Sequence, residues 1–201
     1  MPQIMKILSY DLNSNLGKQY ILSLLYCNNQ EPINGKSRLM IELFFISLNV
    51  PSLSKELEFE ADNYGLSSNV MGEYLNDMNQ KKLIIANKGS GENITYSIGE
   101  YGKKFLEQEN LNLDYELISE IKTLCQDLTN DELFALTYFS FPEMTKNSLV
   151  KEKILAKRQK LAVGLYRKDK VSLEKATEIS GLKFKEFLDL MDCENMGSFD
   201  N

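Results

Sequence analysis

The residues with the clearest chemistry lie near the carboxyl end. Residues 144–190 hold 12 Lys+Arg against 6 Asp+Glu, a net charge of +6. Such a concentration of cations suits contact with a polyanion, because neutralised phosphates release counterions and supply most of the affinity for duplex nucleic acid. Lys153, Lys157, Lys160 and Lys168 stand four, three and eight residues apart, so on a helix they share or flank one face. Arg158 and Arg167 add planar guanidinium groups that grip phosphate with two parallel hydrogen bonds. Lys183 and Lys185 open the following helix, where Glu186 and Asp189 lie close by and weaken it as a reader of base edges. These eight cations are the expected nucleic-acid contacts. The competing reading is an ordinary solvated basic helix.

Other chemistries lack their residues. The chain contains no His, which removes a Ser-His-Asp triad, a Cys-His dyad, a His-ligated zinc and an imidazole pH switch. Cys27, Cys125 and Cys193 are far apart and form no CxxC pair, so neither a thiolate metal site nor a disulfide framework is expected. Gly89-Ser90-Gly91 reads as a hairpin tip rather than a phosphate cradle, and Glu58 and Glu60 stand near each other without a recognisable cleft. The expectation is a non-enzymatic protein with no cofactor.

The elements that must position the cations belong to a chain of 201 residues with 43% hydrophobic and 26% charged residues, an ordinary globular balance. Residues 1–143 carry 11 Lys+Arg and 20 Asp+Glu, a net of −9, and the tail from 191 adds three carboxylates and no cation. Acidic and basic parts so different imply modules with different partners. Residues 1–108 are expected to form one domain, 109–146 a helical connector and 147–201 a basic module. Met1 to Asn13 does not read as a signal peptide, since Lys6 and Asp11 interrupt it. The most apolar window, Leu39 to Leu48, is too short to span a bilayer and contains Glu42. Free scattered thiols fit a reducing cytoplasm, and no membrane association is expected.

Along the first domain, Leu16, Tyr20, Ile21, Leu24 and Leu25 recur at helical spacing until Pro32. A turn at Ile33 to Lys36 leads into a helix at about 37–48, closed by Asn49-Val50-Pro51. Glu56 to Glu60 alternates acidic and apolar residues and predicts a strand with Leu57 and Phe59 inward. Ser67 or Ser68 caps a helix running to about Lys81, with Val70, Met71, Tyr74, Leu75 and Met78 as its core stripe. Leu83 to Ala86 and Ile94 to Ile98 predict a hairpin, and a short helix with Tyr101 and Phe105 follows. Residues 1–14 form a strand or an arm.

In the connector, Leu111, Leu113, Leu117, Ile118, Ile121 and Cys125 predict a helix through about Asp127, and Thr129 to Glu132 fits a capping box that starts the next. Phe134, Tyr138, Phe139 and Phe141 read as packed core in preference to a ligand box. One helix is predicted over 151–168. Ser172 caps a second, Gly181 ends it in a left-handed turn, and Phe184 to Met191 forms a third. Ala176 to Leu182 is then the elbow of a helix-turn-helix, with Leu182 filling the angle.

Helix, helix, strand, helix, hairpin, helix is the order of a winged helix. Glu31-Pro32-Ile33-Asn34-Gly35-Lys36-Ser37-Arg38-Leu39, Tyr64-Gly65, Leu83-Ile84 and Tyr96 to Lys103 resemble an archaeal and bacterial winged-helix family related to the Panacea and SocA-like antitoxin domains, over roughly the first half of the chain. Glu132 to Ser148 also resembles the tail of that family. Leu165 to Ala176 and on through Leu188 is similar to small prokaryotic antitoxin-like helix-turn-helix proteins, over about residues 153–195, departing at Thr177 where a second Ala is usual.

Together these imply a mainly α fold with a small antiparallel β wing. The polar face of the helix before the hairpin offers Ser68, Asn69, Glu73, Asn76, Asp77, Asn79 and Gln80, but its carboxylates and those of Glu56, Glu58 and Glu60 repel phosphates. The function expected is a cytoplasmic regulator that binds double-stranded DNA as a homodimer through the basic module. The alternative is an antitoxin-like adaptor whose acidic face binds a basic protein partner.

Overall fold

The structure is a computed structural model that describes residues 10–63, 65–89 and 93–196. It is mainly helical with a small antiparallel sheet, and the chain divides into two compact units. The first comprises residues 1–60 and 66–126; the second comprises 61–65 and 127–201. The connector expected over 109–146 is therefore divided, its first helix belonging to one unit and its second to the other. The first nine residues of the expected strand or arm lie outside the described residues; 10–13 form a helical turn.

In the first unit, helix α1 (Leu16–Gln30) buries Tyr20, Ile21, Leu22, Leu24 and Leu25. It leaves helical geometry at Cys27, and Asn28, Asn29 and Gln30 all take positive φ. Strand β1 (Ile33–Asn34) precedes α2 (Lys36–Ser47) and α3 (Pro51–Leu57). Strands β2 (Glu60–Asp62) and β3 (Gly65–Ser67) pair with each other, and residues 61–65 of this ribbon count with the second unit. Helix α4 (Asn69–Gln80) leads into the hairpin of β4 (Ile84–Lys88) and β5 (Ile94–Ile98), and α5 (Glu100–Gln108) and α6 (Tyr115–Gln126) complete the unit. The three-stranded sheet has the order β1-β5-β4, with Ile33 opposite Tyr96 and Ala86 opposite Tyr96 on the other side.

Three expectations are corrected here. Pro51 does not merely close a helix; it opens α3 at the first position, where its missing N–H is no loss. The alternation at Glu56 to Glu60 is not a strand. Leu53 and Leu57, four apart, are both fully buried as one face of α3, Glu58 caps that helix at φ 49°, and pairing begins only at Glu60. Ile33 and Asn34, expected as a turn, are a short edge strand. Ser68 acts as foreseen, its Oγ accepting the Met71 N–H at 3.0 Å. Met71, Leu75 and Met78 are buried, with Val70 and Tyr74 packed beside them. The Gly89-Ser90-Gly91 tip lies partly outside the described residues, as does the Tyr64 turn.

In the second unit, α7 (Asn130–Ser140) starts on the foreseen capping box. Thr129 Oγ1 accepts the Glu132 N–H at 3.2 Å, and a Glu132 carboxylate oxygen accepts the Thr129 N–H at 2.7 Å. A 3₁₀ turn at Pro142–Met144 ends it. The single helix expected over 151–168 is two, α8 (Lys151–Leu155) and α9 (Arg158–Arg167). The apolar stripe lapses between Leu155 and Leu161, where Lys157 to Lys160 offer nothing to bury, and the chain turns there at Lys157. Helices α10 (Leu173–Ser180) and α11 (Phe184–Met196) follow. Ile154, Leu161, Val163, Leu165, Ala176, Ile179 and Phe187 form the core, with Leu133 and Tyr138 from α7.

Candidate nucleic-acid interface

The elbow between α10 and α11 is built largely by local chemistry. Ser172 accepts the Lys175 N–H at 3.2 Å and starts α10. Gly181 ends that helix at φ +72°, its N–H bonded to the Thr177 and Glu178 carbonyls. Ala176 and Ile179 are fully buried, as is Phe187 of α11. Leu182, expected to fill the angle, is half-buried, and Phe187 is the side chain fully enclosed there. At the start of α11, Glu186 Oε2 accepts the Lys183 N–H at 2.9 Å, so a carboxylate already covers that helix terminus.

The eight expected phosphate contacts fall into distinct groups. Arg158 lies under the elbow. Its Nε donates to the Ile179 carbonyl at 2.7 Å, its Nη2 to the Glu178 carbonyl at 3.1 Å, and its guanidinium sits 4.6 Å from the Phe139 ring centroid. It supplies a donor to the Ile179 carbonyl and a second donor to the Glu178 carbonyl at the end of α10. Lys168 donates to Glu132 Oε2 at 2.7 Å and to the Asp127 carbonyl at 2.9 Å. The Glu132 side chain is only 8% exposed while that of Lys168 is 36% exposed, so the lysine covers a buried carboxylate from the surface. Burial pushes the Glu132 carboxyl up, but the Lys168 ammonium and the Thr129 donors outweigh it and hold the group below its ordinary range.

Lys153 and Lys157 share Asp131, at 3.6 and 2.8 Å. The Lys157 hydrogen bond, followed by the Lys153 charge, keeps the Asp131 carboxyl low in spite of some burial. Both lysines are about half exposed, and exposed pairs of this kind contribute about 0–1 kcal/mol, so a phosphate can replace Asp131 at little cost. Arg167 is exposed on the last turn of α9. Lys160, Lys183 and Lys185 are exposed, and no carboxylate among the described residues lies within ion-pair distance of them.

The turn between α8 and α9 also bounds a shallow cavity of about 400 Å³. Lys157, Arg158, Gln159 and Lys160 line one side, and Leu190 of α11 lines the other. Three cations of the α8–α9 turn and the apolar Leu190 of α11 thus border one concave surface. The partners that occupy Arg158 and Lys168 were not visible in the sequence as such. Local spacing shows Glu132 as half of a capping box, and its second role depends on a lysine 36 residues away.

In the first unit, Asp77 does not face solvent as a lone charge. Lys18 and Lys81 approach it at 2.7 and 2.8 Å and also hold Asp11 at 2.9 and 2.8 Å. Burial raises the carboxyls of Asp11 and Asp77, and the two ammonium groups more than offset this. Lys81 is therefore engaged. The Asn79 side chain accepts the Ala86 N–H at 3.0 Å, and Asn69 donates to Glu60 at 3.2 Å, so two of the amides on α4 are occupied. Lys82 and Lys88 are exposed.

Among the described residues no cluster of His, Cys, Asp and Glu could hold a metal ion, and no helix is long and apolar enough to cross a membrane. Set against known proteins, the chain matches no family model, no curated protein and no solved structure.

Proposed function

We propose that this protein is a non-enzymatic, cytoplasmic DNA-binding regulator whose second unit contacts duplex phosphates. The observation that carries the reading is the set of Lys160, Lys183 and Lys185, exposed and without carboxylate partners among the described residues, in the same unit as a capped helix–Gly–helix elbow. Lys153 and Lys157 join them once Asp131 yields to phosphate. The first unit supports the reading differently. A helix leading into the β4–β5 hairpin, with β1 beside β5, is the order of a winged helix, and it fits the resemblance to the Panacea and SocA-like winged-helix family. Its α4 lacks unengaged cations on its own face, so we assign this unit to dimerisation or partner sensing.

The decisive experiment is fluorescence anisotropy of the full chain with labelled duplex at several salt concentrations. Three such cations in each protomer of a dimer give a log–log slope of about −5. Absence of binding at low salt overturns the reading.

One observation favours a second reading. Four cations of the basic module, Lys153, Lys157, Lys168 and Lys170, are already matched by carboxylates of the segment before it, Asp127, Asp131 and Glu132, while residues 1–126 still hold 11 Lys+Arg against 16 Asp+Glu, a net of −5. An antitoxin-like adaptor that presents an acidic face to a basic protein would have this balance. It predicts capture of a basic partner and no retention by duplex.

A further inference from the structure

The second unit holds a smaller, half-open cavity of about 260 Å³ on the side of Arg158 that faces α7 and α8. Its wall is made by Tyr138, Phe139, Pro142 and Ile154, and two cations, Lys151 and Arg158, border it. No carboxylate lines it. The Arg158 partners are neutral carbonyls and a ring, so its charge is uncancelled. Lys151 is half-buried, and no carboxylate among the described residues lies within ion-pair distance of it. Two positive groups thus face an aromatic, apolar concavity without a counter-charge.

This combination selects among ligand chemistries. A neutral aromatic would fill the apolar wall and leave both charges unmatched. An inorganic phosphate would match the charges and leave Phe139 and Pro142 against water. A nucleotide needs more room, since this volume lies below the roughly 300–1,000 Å³ usual for drug-sized ligands. We propose that the cavity binds a small aromatic monocarboxylate, its ring against Phe139 and Pro142 and its carboxylate between Lys151 and Arg158. Because Arg158 also holds the Ile179 and Glu178 carbonyls, an occupied site draws on the group that fastens the α10–α11 elbow. The proposal does not depend on DNA binding.

The test is titration of the full-length, ¹⁵N-labelled chain with benzoate, benzamide and inorganic phosphate in separate series, without DNA. Benzoate is expected to shift the amide signals of Phe139, Lys151 and Ile154, and also those of Ser180 and Gly181 through Arg158. Benzamide and phosphate should each bind at least about tenfold more weakly, the cost of a missing charge-assisted bond or of an unfilled apolar wall. K151Q should lower benzoate affinity about tenfold while leaving signals remote from the cavity unchanged, and K151R should restore it. The proposal fails if benzamide binds as tightly as benzoate. It also fails if phosphate alone gives the same shifts, if K151Q binds as the native chain does, or if millimolar benzoate leaves the cavity signals unmoved.

Discussion

A Cβ atom placed on Gly181 would lie 2.5 Å from Cζ of Arg158, so the elbow between α10 and α11 closes directly over a guanidinium. Two separate costs follow for G181A. The residue must hold φ +72°, which costs an L-residue roughly 1–2 kcal/mol. The guanidinium must also leave the Ile179 and Glu178 carbonyls, losing charged hydrogen bonds of about 1.5–3 kcal/mol. G181A is expected to destabilise the protein by about 2.5–5 kcal/mol in urea unfolding. In an R158A background only the backbone cost remains. A double-mutant cycle showing strict additivity would mean that the two residues do not meet.

Glu132 and Gly164 form a second matched pair. A Cβ on Gly164 would lie 2.8 Å from Glu132 Oε1, so G164A pushes the carboxylate off Lys168 or off Thr129. Because the folded Glu132 carboxyl sits below its ordinary value of 4.5, it binds fewer protons folded than unfolded over that window. Its contribution to stability is present above about pH 4.5 and is lost as pH falls through the folded value. E132Q should lower stability at neutral pH and flatten the acid limb of the stability curve. Unfolding midpoints across the acid range test this, and an unchanged acid limb would contradict it.

What could be read from the chain beforehand was local. Ser68, Thr129, Ser172 and Gly181 each announce a helix end because cap and partner are three or four residues apart. The β4–β5 hairpin was equally legible, its two apolar runs flanking a Gly-rich turn. Strand β1 was missed because two residues cannot show alternation. The Glu56 to Glu60 segment misled because period-two alternation coincided with the end of a helix whose buried face is Leu53 and Leu57. The cations were found, but which of them stay available was not. That depends on Glu132, Asp131 and the α10 carbonyls, which approach only after α7, α9 and α10 pack.

Glu42 gives the chain an opposite response to pH. It lies on α2 at 2% exposure, and its Oε2 has no hydrogen-bond partner among the described residues. Burial pushes its carboxyl up to about 8, although the Arg38 and Lys122 charges draw it partly back. Between about pH 4.5 and 8 the folded group keeps a proton that the unfolded group has released, so stability falls as pH rises through that window. The loss across the window is on the order of several kcal/mol, since a tenfold change in proton affinity is worth about 1.4 kcal/mol. E42Q is neutral throughout and should show a flatter profile, surpassing the native chain by a margin that grows toward pH 8. A constant margin across the window would place the Glu42 carboxyl in its ordinary range.

The proposed DNA contact makes a sharper demand on the cations, because they no longer count alike. Lys160, Lys183 and Lys185 have solvent around them and no carboxylate within ion-pair distance among the described residues, so each phosphate they neutralise appears in the salt dependence. Changing any one of them to Gln should reduce the slope by about one in each protomer and weaken all duplex sequences alike. K153Q and K157Q should act in the same direction but less, since each also removes an internal pair with Asp131. R158K behaves differently. It retains the charge but loses the planar fork that reaches two carbonyls at once, so it should lower stability while leaving the slope nearly intact. Anisotropy at several salt concentrations, with a urea midpoint for each variant, separates these roles. If K160Q, K183Q and K185Q leave the slope unchanged while R158K reduces it, phosphate binding lies at the elbow instead of on the exposed lysines.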